Sequence, residues 1–504
     1  MITIKTDKLL KTRQNFWNNF HFHPTDAIED DWGKRYLDKA AEDNIADTVR
    51  MYAMFEDIVT MDEDGRLCYD FTENDVRMDY MVEKGFNLLV SYNFIPRCIA
   101  EYNDKNNTEV RVSSRYKGKT ICTIPPKDWS LWGEICRAYT QHIVERYGID
   151  RVKNWYLQCF NEPDVSGFFL APMGSTEEAK VKRCEEYVKM YKAFAEATKG
   201  VDKRLKIGGP TASNGRIFEY WLKFIKENNI PADFACGHAY GTNPKRINDG
   251  IKQIGADNNV EICKSYIARL DRYYPEMEFV MDEFGASGAG FCNLLDCPKL
   301  IFRENEIFAA FLGQLVTRLI RDDVRVSRLM MCMSGSHQPH QRPGEFVEFN
   351  GFRSFFTEHF ITKPVYNAYR LVRKLHSGIL AYETAAEHLD VLPTTDGENY
   401  SILLAYADGD YSEDLPALTE TLTLPLDGKY RVTTWIIDAD HVNPYRMWQR
   451  ENMPDHPDEA QLEALRTEGI LRPASETVIE ASGTASIPVT LGCNGLAMVE
   501  IHKI

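Results

Sequence analysis

Between residues 15 and 375, short apolar or β-branched runs alternate with longer amphipathic stretches, and this alternation limits the chain's folds more than any other feature. Eight such runs are found: Phe16–His23, Thr48–Met54, Phe86–Asn93, Trp155–Phe160, Leu205–Gly209, Phe234–Ala239, Glu278–Glu283 and Arg328–Met333. Eight βα units predict closure into a (β/α)8 TIM barrel, an α/β fold. The stretch before the fourth run shows the helical pattern. Leu131, Ile135, Tyr139 and Ile143 recur every fourth residue, Trp132 and Cys136 widen the stripe, and Gly148 ends it. After about residue 380 the period drops to two, in Tyr400–Tyr406, Thr421–Leu424, Tyr430–Ile437 and Ala485–Leu491, with Asp-Gly and Gly-Lys turns between. The expected organisation is a catalytic barrel over 13–378 and an accessory antiparallel β-sandwich over 379–504. The strand-like Ile2–Thr6, within residues 1–12, is expected to join that sandwich.

A chain of 504 residues has room for such a barrel and one smaller domain. With 44% apolar and 27% charged residues, disordered and fibrous classes are excluded. A net charge of −16 repels phosphate backbones and anionic lipid, so neither nucleic acid nor a membrane is an expected partner. The twelve cysteines include no CxxC pair, and Cys292 and Cys297 are the closest approach to one, so buried reduced thiols are expected. The N-terminus MITIKTDKLLKTRQ lacks an apolar signal core, and no window of eighteen apolar residues occurs, which points to a cytoplasmic chain. A secreted protein trimmed of its signal would read the same. A homo-oligomer and a monomer fit the sequence equally.

In a barrel of this kind, side chains at the C-terminal ends of the strands face the active site. The fourth run ends in Phe160-Asn161-Glu162-Pro163 and the seventh in Val280-Met281-Asp282-Glu283-Phe284. Strands four and seven stand on opposite sides of the barrel, so Glu162 and Glu283 are expected to face each other across its mouth. Two opposed acids suit glycosidic bond hydrolysis, with Glu162 protonating the leaving oxygen and Glu283 remaining ionised to attack the sugar. On the sixth run, alternation puts His238 and Tyr240 on one face; a Tyr240 hydroxyl beside Glu283 would keep that carboxylate charged and fix its rotamer. Asn161 is placed to hydrogen-bond the sugar hydroxyl next to the anomeric carbon. Further substrate-contact candidates are Arg50 on strand two, Trp17, His21 and His23 on the WNNFHFHPTD stretch, and Phe352, which with Phe346 and Phe349 could stack on sugar faces.

The chain resembles glycoside hydrolase family 39 over nearly its whole length. The similarity is carried, in order, by Val49-Arg50, YDFTENDVRMDYMVEKGFNLLVSYNFIP, TIPPKDW, NWYLQCFNEPD, IGGPTAS, HAY, MDEFGAS and ITKPVYNAY. It continues in YRVTTWIIDADHVNPYRMWQRENMPDHPDEAQLEAL, with Asp438, Asn443, Tyr445 and Trp448. The resemblance implies a retaining β-xylosidase-like glycosidase with Glu162 as acid/base, Glu283 as nucleophile, and His238 and Tyr240 on the family's His-x-Tyr element. It implies no metal or other cofactor, and carboxyl groups about 5 to 5.5 Å apart. Departures from the family pattern concern the sugar. Strand eight reads Met330-Met331-Cys332-Met333-Ser334 where an aromatic platform is usual, Tyr52 replaces a histidine, and Phe160 replaces a tryptophan. An exo-acting enzyme on xyloside- or arabinoside-type oligosaccharides is expected, with galactosides, glucosides or uronides as alternatives. A uronide would need a cation for its carboxylate, and among the strand-end residues only Arg50 offers one.

Two other classes fit less of the sequence. His21-Phe22-His23 could open the metal site of a metal-dependent barrel hydrolase, but strand five ends Ile207-Gly208-Gly209-Pro210 and strand eight in Ser334, so of the further ligands only His238 is suitably placed. A non-catalytic carbohydrate-binding barrel would not require both glutamates with Asn161 and Tyr240 beside them.

Overall fold

The computed structural model describes residues 1–22, 31–101, 121–242, 255–289, 292–332, 334–335, 347–409 and 414–504. Eight parallel strands close into a barrel: Asn19–His21, Thr48–Met54, Asn87–Asn93, Tyr156–Cys159, Lys206–Ala212, Phe234–Thr242, Glu278–Ser287 and Arg328–Met331. A helix follows each strand, in order Asp31–Glu42, Thr72–Glu83, Trp129–Tyr147, Glu177–Val201, Gly215–Glu227, Asp257–Tyr273, Glu306–Arg321 and Pro364–Val372. The helix stripe read from sequence faces inward, with Trp132, Ile135, Cys136, Tyr139 and Ile143 buried, and Gly148 leaves the helix at φ 79°. Side-chain caps set where several helices begin: Asp128, Thr176, Asn214 and Asn305 each accept from a backbone N–H of the first turn.

Inside the barrel, Leu89, Tyr156, Phe234, Cys236, Val280 and Met330 form a packed apolar cluster, so the lumen is a core and not a channel. Gly208 is required there, because a Cβ would lie 2.4 Å from the Phe234 carbonyl oxygen on the neighbouring strand. None of the twelve cysteines forms a disulfide, and most are buried. Among the described residues no helix is long and apolar enough to cross a membrane.

The C-terminal β domain holds strands Gly378–Thr384, Leu389–Thr395, Tyr400–Tyr406, Leu418–Ile437, Pro473–Leu491 and Gly495–Lys503. The N-terminal strand Ile2–Thr12 pairs antiparallel with Gly378–Thr384, so the two ends of the chain meet in one sheet. Two stretches expected as separate strands, Thr421–Leu424 and Tyr430–Ile437, are halves of one twenty-residue strand. Its first half meets Ile2 and Thr3, and its second half pairs with Gly495–Lys503. The sheet thereby rolls over a shared core of Ile2, Ile4, Ile402, Leu404, Leu422, Leu424 and Val499, and a single seven-stranded sheet does the work expected of a two-sheet sandwich. The Asp427-Gly428 step is not a turn: both residues stay in the ladder, opposite Ser482 and Ala481.

The β domain docks on helix Glu306–Arg321. A Cβ at Gly313 would meet Leu496 Cδ1 at 2.3 Å, so glycine permits the close approach. Gln314 donates to the Ala407 carbonyl at 2.7 Å, and Arg318 pairs with Asp390 at 2.8 Å. Buried Glu306 receives Arg446 and the Asn443 amide from the β domain.

Candidate active site

The acidic residue of strand four leaves the barrel on a strained turn. Phe160 and Glu162 have φ of 69° and 42°, left-handed backbone costing about 1–3 kcal/mol per non-glycine residue. Hydrogen bonds hold the turn: Ser91 Oγ donates to the Phe160 carbonyl at 2.7 Å, and Glu162 N–H donates to the Thr211 carbonyl at 3.2 Å. The side chain of Glu162 is 17% exposed and meets His238 Nδ1 at 2.8 Å through Oε1. Burial raises the pKa of Glu162, His238 opposes the rise, and the nearby Glu283 charge adds to it.

Glu283 sits on strand seven with both oxygens engaged. Oε1 accepts from Arg50 Nη1 at 2.5 Å and Tyr52 OH at 3.3 Å; Oε2 accepts from Tyr240 OH at 2.6 Å and Cys332 Sγ at 3.2 Å. Burial works against its charge, yet His238, Arg50 and His21, with the Tyr240 hydrogen bond, outweigh it and hold the carboxyl well below the usual range. One oxygen of Glu162, one of Glu283 and a ring nitrogen of His238 all lie within 4.8 Å of one another. The two carboxyl groups are therefore neighbours, with environments that push their pKa values apart.

Behind this pair lies a buried charge network. Arg50, fully buried, reaches Glu283 with one nitrogen and with the other both Asn161 Oδ1 at 2.7 Å and Asp282 Oδ2 at 3.3 Å. Asp282, also fully buried, accepts from Gln158 Nε2 at 3.2 Å and stands 3.5 Å from His238 Nε2. Burial would lower the pKa of His238, but Glu283, Asp282 and Glu162 raise it well above the ordinary imidazole value. Two cations, Arg50 and His238, thus face two carboxylates, Asp282 and Glu283, which offsets much of the desolvation of each.

Six of the candidate residues come together here: Glu162, Glu283, Asn161, His238, Tyr240 and Arg50. His21 joins them, its Nδ1 lying 3.9 Å from Glu283 Oε1 and 3.5 Å from Arg50 Nη1. His23 and Phe346 lie outside the described residues. Trp17 is corrected to a core residue: the strand starts at Asn19, so Trp17 lies at its opposite end, where the indole donates to the Val372 carbonyl at 2.9 Å. Phe349 is also no sugar platform, since its ring packs 5.6 Å from both Tyr445 and Trp448. Phe352 is 1% exposed, too deeply buried to present a stacking face, and its carbonyl accepts from Lys363.

Asp282, Cys332 and Arg353 belong to the site but were not singled out from sequence. Arg353 is 6% exposed. Burial lowers its pKa, but the facing Cys332, Tyr240 and Glu283 outweigh this and raise it. Asp282 precedes Glu283 and could have been read from its place at a strand end; Cys332 and Arg353 carry no such signal. Two triads among the described residues bring metal-ligating atoms together, Glu162–His238–Glu283 and His21–Glu283–Cys332. Both share Glu283, whose oxygens already hold Arg50 and Tyr240, so an ion would have to bind beside a guanidinium.

A closed (β/α)8 barrel bearing two adjacent carboxylates at the C-terminal ends of strands four and seven is the framework of a barrel glycoside hydrolase. The sequence profile of glycosyl hydrolases family 39 matches residues 1–486, and the chain belongs to that family and is a glycosidase. It is 24% identical over 476 residues to a beta-xylosidase of Caldicellulosiruptor saccharolyticus, covering 92% of this chain and 90% of the relative. A beta-xylosidase of Geobacillus stearothermophilus is 22% identical over 495 residues, covering 95% and 88%. Among solved structures, the monomeric beta-xylosidase of Caulobacter crescentus CB15 superposes with a TM-score of 0.81 at 19% identity, covering 100% of this chain and 99% of that one.

Proposed function

We propose that the protein is a retaining, exo-acting glycosidase for xyloside- or arabinoside-type substrates. The observation that carries this reading is the adjacency of Glu162 and Glu283, with oxygens within 4.8 Å and pKa values shifted in opposite directions. Inverting enzymes separate their carboxyl groups by about 6.5–9.5 Å to admit a water, whereas retaining enzymes hold them about 5–5.5 Å apart. In the first step Glu162 gives its proton to the glycosidic oxygen while Glu283 attacks the anomeric carbon, forming a glycosyl ester and releasing the aglycone. In the second, Glu162 takes a proton from water, which attacks the same carbon and frees Glu283.

The neighbours divide the supporting work. His238, Arg50 and His21, with the Tyr240 hydrogen bond, keep Glu283 ionised. His238 bridges toward both carboxylates and can follow the change in Glu162 protonation between the steps. Asn161, held through Oδ1 by Arg50, keeps Nδ2 as a donor for the sugar hydroxyl next to the anomeric carbon. The names of the curated relatives favour xylosides. Arg353 supports a second reading, a uronide whose carboxylate pairs with it, because it is a cation buried beside Tyr240 and Glu283. The test is a panel of aryl xylosides, arabinosides, galactosides, glucosides and uronides, with the anomer of the first-formed product read by NMR. Turnover with retention on a pentoside is expected; inversion, or turnover on none of the panel, would end the reading.

A further inference from the structure

We propose that Tyr52 and Cys332 are positioning residues for the nucleophile, completing a four-donor cage around Glu283 that sets the balance between its attack and its departure. The inference rests on the retaining reading above. Each carboxylate oxygen takes one short and one longer hydrogen bond: Arg50 and Tyr52 on Oε1, Tyr240 and Cys332 on Oε2. The longer pair comes from strand two and from the residue just past strand eight, the two strands that flank the first barrel strand, so the carboxylate is gripped from two directions.

Both groups are fixed and both are donors. The Cys332 backbone N–H donates to the Phe284 carbonyl at 3.0 Å, locking its position beside strand seven. Tyr52 is 7% exposed and its ring packs against His21 at 5.0 Å. Burial raises the pKa of the thiol and of the phenol, so each keeps its proton and can only donate to a carboxylate.

A carboxylate with four donors is a weaker base and a better leaving group than one with two. Such a cage slows formation of the glycosyl ester slightly and speeds its hydrolysis, because hydrogen bonds to the departing carboxylate strengthen as its charge returns. Tyr52 and Cys332 therefore act on the step that a merely structural residue would leave alone. The charged and titratable groups facing Glu283 are Arg50, His21, His238, Tyr240, Glu162, Asp282 and Arg353, and all remain in the variants below.

The test compares Tyr52→Phe, Cys332→Ala and Cys332→Ser with the wild type on an activated aryl xyloside, using steady-state and rapid-mixing kinetics across the acidic range. Product stereochemistry is established first on the wild type. Tyr52→Phe and Cys332→Ala should each lower kcat by several-fold to about tenfold, lower KM with it, and show a burst of aryl release as the ester accumulates. Each should also move the acidic limb of kcat/KM upward by about half a unit to one unit. Cys332→Ser, which restores a donor, should stay within about twofold of the wild type. If the wild type retains configuration while Tyr52→Phe and Cys332→Ala show no burst and an unmoved acidic limb, this inference fails and the retaining reading stands. The inference also fails if Cys332→Ser loses as much activity as Cys332→Ala with no change in the kcat-to-KM balance, since packing alone would explain that. A wild type that inverts would overturn both readings.

Discussion

Replacing Arg50 with methionine removes the central cation of the site while keeping much of its volume. Arg50 is fully buried and within 2.5 Å of Glu283 and 3.3 Å of Asp282, so its loss leaves two buried carboxylates with His238, His21 and the more distant Arg353 as the remaining cationic partners. Unit charges about 4 Å apart at an effective dielectric of about 20 attract by about 4 kcal/mol, and one pKa unit corresponds to about 1.4 kcal/mol. Losing that attraction should raise the pKa of Glu283 and carry the acidic limb of kcat/KM to higher pH, while the remaining donors keep part of the depression. Glu283 has a depressed folded pKa, so its contribution to stability is present above the ordinary carboxylate range and lost as pH falls through the folded value. In the variant that loss begins at higher pH. Removing one partner of a buried pair also costs about 3–5 kcal/mol of stability. The assay is kcat/KM for an aryl xyloside as a function of pH, paired with urea denaturation at neutral pH. An acidic limb left where the wild type has it, with an unchanged denaturation midpoint, would refute the charge network as the source of the ionised nucleophile.

Glu162→Ala should cleave substrates with good leaving groups slowly and be accelerated by azide, with glycosyl azide as the product; a missing azide adduct would remove the acid/base role. Glu283→Ala should lose almost all turnover at every pH, and rates near the wild type would exclude it from the mechanism. Glu162 has a raised pKa, so its contribution to stability is present below the ordinary carboxylate range and lost as pH rises through its folded value; the alkaline limb of kcat/KM should follow that ionisation and vanish in Glu162→Gln. Arg446→Ala strands buried Glu306 between the barrel and the β domain, and because Arg446 is 33% exposed the cost should be about 2 kcal/mol, below that of a fully buried pair. Denaturation that matches the wild type would show that the pair adds nothing.

The barrel was legible because short apolar runs alternate with helical stretches, most of them with a one-sided stripe; Glu306–Arg321, covered by the β domain, is instead buried nearly all round. Glu162 and Glu283 were legible for the same reason: a polar residue closing such a run has one place to go. Trp17 was misplaced by a small error of phase. The run begins at Phe16 but the strand begins at Asn19, and those three residues move the indole to the wrong end of the barrel. Cys332 reads as an apolar member of Met330-Met331-Cys332, and nothing in its spacing reveals that its sulfur meets a carboxylate from strand seven. Arg353 comes from a loop whose path depends on Glu304, which accepts from Gly351 N–H and pairs with Lys363, and on packing of Phe349 against Tyr445 and Trp448 of the β domain. Contacts so distant in sequence leave no local pattern. The length of strand Leu418–Ile437 was hidden by Asp427-Gly428, a turn signal overridden by an unbroken ladder with its partner strand.

A covalent sugar at Glu283 is the most direct mark of the proposed double displacement. Incubation with an activated 2-deoxy-2-fluoro xyloside, which slows release of the ester more than its formation, followed by peptide mass spectrometry, should find one glycosyl adduct on the peptide containing Glu283 and none in Glu283→Ala. An adduct on another residue, or none while the same reagent is turned over, would contradict it.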